Sequence, residues 1–177
     1  MDGAWDVIAR TVASEFADLP DLEQFTRLLV RLVLSAALGG LLGLERELHG
    51  KAAGVRTHML VSLGAALFVL VPQQAGMDPS DLSRVIQGVV AGVGFLCAGT
   101  ILKIGDGGGN THVNDEHVKG LTTAAGLWLT AAIGIASGLG REMTAVLTTL
   151  LAIGILSLEG PIRRHLATGR DRKHPPE

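Results

Sequence analysis

The chain has 177 residues, 47% hydrophobic and 18% charged, with 24 glycines, one cysteine and a formal net charge of -2; its mean hydropathy is +0.39. That much apolar surface excludes an unstructured chain, and the lone Cys97 excludes a disulfide scaffold. With no net positive field and no interleaving of basic and aromatic residues, nucleic acid is not expected as a partner.

In chain order, residues 1–26 come first. Trp5, Ile8, Val12, Phe16 and Leu19 recur at helical spacing, with Asp2, Asp6, Arg10, Asp18 and Asp21 filling much of the rest. This predicts an amphipathic helix lying on a membrane surface. It is not a signal peptide, because a basic start and an uninterrupted apolar stretch are both missing.

Five apolar blocks follow, at 28–44, 58–71, 85–104, 118–139 and 142–158. A bilayer-spanning helix takes about 17–25 residues, so the second block is short. Charges collect between the blocks. The exception is Arg31, one turn into the first, whose long side chain can snorkel to the interface. A soluble helical bundle would need polar helix faces, and blocks three to five have none. The expected fold class is therefore all-α: a polytopic membrane protein with five transmembrane helices and an N-terminal amphipathic helix, with lipids as its first partners. Its parts would be the amphipathic segment 1–26, the membrane domain 27–160 and a polar cytoplasmic tail 161–177.

Lys and Arg set the expected orientation. Ten lie on one side: Arg46, Lys51, Arg56, Lys103, Lys119, Arg163, Arg164, Arg170, Arg172 and Lys173. Four lie on the other: Arg10, Arg27, Arg84 and Arg141. Positive residues favour the cytoplasm, which puts the N-terminus outside and the C-terminus inside.

Within the blocks, Gly39 and Gly43, Gly88 and Gly92, and Gly134 and Gly138 form three G-x-x-x-G pairs. Small residues let helix backbones approach closely in lipid. General helix packing is the plain reading; a homodimer seam, placed at Gly88 and Gly92, is the sharper one. Ser35, Ser62, Thr100, Thr122, Thr123, Thr130 and Thr148 are small enough to bond their own helix backbone, whereas Gln87 wants a partner. No carboxylate stands at mid-membrane, which weakens a proton-relay or ion-pump reading.

The ionisable residues concentrate at one face. Glu45, Arg46 and Glu47 end the first membrane helix, Arg56, Thr57 and His58 start the second, Lys103 ends the third and Lys119 starts the fourth. These are either ordinary interfacial charges or the walls of a polar pocket. Glu45 and Glu47 offer carboxylates to a hard cation such as Mg2+, in competition with the nearby bases, and Glu45 has Arg56, Lys103 or Lys119 as candidate ion-pair partners. The segment 105–117 adds Asp106, Asp115 and Glu116 as further candidate metal ligands. Its glycines and its mismatch to the calcium-loop pattern favour a solvated loop. No cofactor other than such a cation is called for. No nucleophile elbow, phosphate loop or zinc motif occurs, so catalytic residues are not expected. Cys97 reads as a small packing residue.

Three stretches resemble the MgtC/SapB family of bacterial inner-membrane proteins. They are Gly43-Leu44-Glu45-Arg46-Glu47 continuing through Ala53-Gly54-Val55-Arg56-Thr57-His58, the run from Gly92 to Lys103, and Lys119-Gly120-Leu121-Thr122-Thr123-Ala124-Ala125 with Trp128 beyond. The resemblance implies a five-helix membrane domain, roles in magnesium limitation and in survival inside macrophages, and, for some members, restraint of the F-type ATP synthase. Matched residue by residue, it makes Glu45, Arg46, Glu47, Arg56, Thr57, His58, Lys103 and Thr122 candidate functional positions. Three departures stand out. Cys97 replaces a usual glycine, the 105–118 segment is longer, and the chain stops soon after the last block, where relatives continue into an ACT-like domain. The leading expectation is a non-enzymatic modulator of magnesium and cation homeostasis that works through other membrane proteins. The alternative is a Mg2+ or other cation channel or carrier, with Glu45 and Glu47 at its mouth.

Overall fold

The computed structural model describes residues 3–15, 21–105 and 116–158, without the side chains of 102–105 and 116–119. Among the described residues there is no strand. Six helices follow in order: α1 (Ala4–Glu15), α2 (Leu22–Leu48), α3 (Val55–Gln74), α4 (Pro79–Gly105), α5 (Glu116–Gly138) and α6 (Glu142–Ser157).

Local chemistry sets several boundaries. The Asp21 carboxylate accepts the Gln24 N–H at 2.7 Å, a helix N-cap that starts α2 at Leu22, six residues before its apolar block. At the other end Gly50 takes φ +63, where glycine has no side chain to clash. The N–H groups of Gly50 and Lys51 donate back to the Glu47 and Arg46 carbonyls, each at 3.0 Å. Pro79 opens α4, where its missing N–H costs nothing.

Among the described residues, four helices are long and apolar enough to cross a membrane: Leu22–Leu48, Val55–Gln74, Pro79–Ile101 and Gly120–Gly138. The second apolar block thus belongs to a helix of 20 residues, with polar ends at Arg56 and at Gln73–Gln74. The last block forms α6, of 16 residues, about 24 Å long against a hydrocarbon core of about 30 Å.

Polarity is inverted relative to a water-soluble protein. Leu60, Phe68, Phe95, Leu96, Leu150, Leu151 and Ile155 are exposed, while Ser35, Arg46, His58, Ser62, Thr130, Ser137 and Thr149 are buried. A contiguous apolar surface of that extent suits lipid contact and would be a liability in water. α5 lies at the centre against α2, α3, α4 and α6. Of its spanning window 61% is buried, against 11% for α4, which stands at the edge. α1 touches no other helix and buries no residue; Trp5, Ile8 and Val12 are all exposed.

Glycine makes the centre possible. A Cβ on Gly39 would lie 2.6 Å from the His58 carbonyl, and one on Gly138 would lie 2.6 Å from the Ala66 carbonyl. Gly43 and Gly134 are closed in the same way, by Val55 and by Ser62 respectively. Gly88 and Gly92 differ, since no described atom of another element lies within 4 Å of either Cβ position. In-helix hydroxyls bond their own backbone, as in Thr130 to the Gly126 carbonyl at 2.8 Å. Ser35 and Ser62 instead meet across α2 and α3 at 2.9 Å.

Candidate functional site

The inward face of α2 carries Ser35, Gly39, Gly43 and Arg46 at spacings of four, four and three, so they stack on one side of the helix. α3 lies against that face and presents His58 and Ser62. α5 closes the third side, with Gly126 opposite His58: a Cβ there would be 3.8 Å from His58 Nε2.

Arg46 and His58 are almost fully enclosed, at 0% and 1% exposure. The two ends of the His58 ring differ. Nδ1 is 2.9 Å from the Gly54 carbonyl, which only accepts, so Nδ1 carries the proton. Nε2 is buried and makes no hydrogen bond. None of the three guanidinium nitrogens of Arg46 makes a hydrogen bond either. Its nearest opposite charge is Glu45, with Oε2 3.7 Å from Nη1, beyond hydrogen-bond reach. Glu45 Oε2 is itself buried without a hydrogen bond, while Oε1 lies 3.1 Å from His49 Nδ1. Such atoms are uncommon, because a buried polar group normally finds a partner.

The other predicted site residues separate. Glu47 Oε2 accepts the Val55 N–H at 2.9 Å, so this carboxylate caps α3, whose Gly54 cap position has no side chain to do so. Arg56 and Thr57 are exposed and stand outside the buried group. Thr122 is half-buried on α5. Glu45 pairs with Arg46, not with Arg56, and lies beside the His49 ring. The side chains of Lys103, Lys119 and Glu116, and all of Asp106 and Asp115, lie outside what the structure describes. Among the described residues no three His, Cys, Asp or Glu side chains come together as a metal site.

Sequence reasoning assigned Arg31 only to the interface. In the fold it fastens the opposite end of the bundle. Its Nη1 donates to Gln73 Oε1 at 3.0 Å and to the Gly138 carbonyl at 3.1 Å, and its Nε lies 3.7 Å from Glu142. One side chain thus joins α2 to the ends of α3 and α5 and the start of α6. A polar recess of about 440 Å³, lined in part by Asp21, Arg27, Arg31 and Gln73, opens beside it.

The MgtC family profile matches residues 32–165, a span that contains every element of the buried cluster. This chain belongs to the MgtC family. SrpB of Synechococcus elongatus is 44% identical over 132 residues, 72% of this chain and 71% of that protein. YhiD of Escherichia coli K12, provisionally named a magnesium transporter, is 37% identical over 140 residues, 73% of this chain and 59% of its own. MgtC of Brucella abortus is 40% identical over 125 residues, 71% of this chain and 48% of its own. The chain therefore spans about half the length of some relatives and nearly three quarters of others. No solved structure matches it. Family membership and the inverted polarity together make it a multi-pass membrane protein.

Proposed function

We propose that this MgtC family member is a non-enzymatic protein of a bacterial inner membrane that modulates magnesium or cation homeostasis by contact with another membrane protein. In this reading the N-terminus is outside and the C-terminus in the cytoplasm. The observation that carries it is the uncovered face of α4. Between α3 and α4 runs an open apolar groove of about 600 Å³, floored by Gly64, Gly88 and Gly92 and flanked by Phe68 and Leu96. Gln87 is exposed on the same helix, where lipid offers no partner for its amide. Such a face suits a second membrane helix, from another copy of this chain or from a larger complex such as an ATP synthase. The names of the relatives support the link to magnesium.

A Mg2+ carrier is the second reading, resting on the name of YhiD and on the Glu45 carboxylate. It is the weaker one, because Glu47 is engaged as a helix cap and Glu45 lies beside a buried cation.

Two measurements separate them. Proteoliposomes bearing the purified chain are expected to show no Mg2+ flux above empty vesicles. Gly92→Leu, which meets open space in the isolated chain, is expected to keep the melting temperature and to lose complementation of low-magnesium growth. Rapid Mg2+ uptake that Glu45→Gln abolishes would overturn the proposal in favour of a carrier.

A further inference from the structure

Four features, three of them unmet hydrogen-bonding needs, meet at the junction of α2, α3 and α5. The Arg46 guanidinium has five N–H donors and no acceptor. Glu45 Oε2 is an acceptor without a donor, as is Nε2 of the neutral His58 ring, whose proton sits on Nδ1. The fourth is space. Gly126 is buried, yet apart from His58 Nε2 at 3.8 Å no described atom of another element lies within 4 Å of where its Cβ would be. A missing side chain leaves a niche in front of the imidazole.

The chemistry of these groups narrows what belongs there. A bare metal cation meets the Arg46 charge and leaves the guanidinium donors unused. A fully ionised oxyanion satisfies Arg46 but offers no proton to Glu45 or His58. An anion carrying both hydroxyl and bare oxygens answers all of them: its oxygens accept from Arg46, and its hydroxyls donate to Glu45 Oε2 and His58 Nε2. Hydrogen bonds to ionised groups are the stronger kind, and a hydroxyl shared with Glu45 turns a repulsive contact between two anions into an attractive one.

We infer that Arg46, Glu45 and His58, with the space left by Gly126, form a buried site for a singly ionised phosphate group, H2PO4⁻ or a phosphate monoester. The inference is independent of how the protein acts on cation homeostasis and stands or falls without it. Arg46 anchors the charge, Gly126 supplies room, and Glu45 and His58 select for P–OH: H2PO4⁻ has two such groups and meets both acceptors, whereas a singly ionised monoester has one and meets one of them. The ligand has two natural sources. Inorganic phosphate is one, and the headgroup of phosphatidic acid is the other. The phosphodiester of ordinary phospholipids has no P–OH and is excluded by the same argument.

The test uses the full chain in nanodiscs of phosphatidylcholine, with thermal unfolding and 31P NMR as readouts. Inorganic phosphate is expected to raise the melting temperature and to show exchange broadening. Sulfate has the same shape but no proton near neutral pH, and is expected to bind about a hundredfold more weakly or worse, as when a polar site meets an analogue lacking the group it was built to bond. Gly126→Ala fills the niche with one methyl group and is expected to keep the fold while removing the phosphate response. Arg46→Gln is expected to remove it as well. A response that appears only in discs doped with phosphatidic acid assigns the same chemistry to a lipid headgroup. The inference is overturned if neither source shifts the melting temperature, if sulfate matches phosphate, or if Gly126→Ala binds as the parent does.

Discussion

Arg31 and Arg46 lie fifteen residues apart on α2, about four turns along one helix, and the bundle treats them differently. Arg31 sits at an end where helices stop, so carbonyls and amide side chains are free to receive it: Gln73, the Gly138 carbonyl and Glu142 converge on one guanidinium. Arg46 is more deeply enclosed and has only the Glu45 carboxylate at 3.7 Å. Burying a charge without hydrogen bonds is unfavourable, and stability alone would favour an apolar pair in place of Arg46 and Glu45. Arg31 is thus a structural clasp, whereas Arg46 is a group held ready.

That contrast can be sharpened or broken by substitutions. The largest effect is expected from the packing that holds both ends in place. Gly134→Val puts a branched side chain where a single Cβ would already lie 3.0 Å from Ala65 Cβ and against the Ser62 backbone. It should cost about 3 kcal/mol or more, read as loss of the folded, monodisperse protein in detergent. Next is Arg31→Met, which strands the Gly138 carbonyl and Gln73. The expected loss is about 1–3 kcal/mol, seen in denaturant titrations, and an unchanged midpoint would remove the clasp from the account. Glu47→Ala uncaps α3 and should cost about 1 kcal/mol. The cap reading is checked by Glu47→Gln, whose side-chain carbonyl still accepts from Val55 and which should recover most of that loss.

The reach of the sequence can be judged from the same residues. The apolar blocks marked the membrane helices, since 85–104 and 142–158 lie almost wholly within α4 and α6. Block 58–71 understated α3 because the ends of this helix are polar and exposed: Arg56, Thr57, Gln73 and Gln74 belong to it but interrupt an apolar count. Spacing gave three alike glycine pairs, with Gly88 and Gly92 expected as the homodimer seam. Only the fold separates Gly39, Gly43, Gly134 and Gly138, pressed against backbone, from Gly88 and Gly92, open on α4. The cluster around Glu45, Arg46 and His58 was visible as charge at helix ends, but its members' roles were not. Glu47 and Glu45 are neighbours in sequence, and one caps a helix while the other stands beside a buried cation. Arg31 gave no local signal, because its partner carbonyl is 107 residues away.

The most direct test of the contrast is the unfolding midpoint of the double variant Glu45→Leu, Arg46→Met beside that of Arg31→Met, both in phosphate-free buffer and in phosphatidylcholine discs. The account predicts that the double variant melts at or above the parent temperature, because it removes a buried pair that makes no hydrogen bond between its members, while Arg31→Met melts well below it. If the double variant loses as much stability as Arg31→Met without ligand, Arg46 is a structural residue like Arg31, and the distinction between the two ends of the bundle fails.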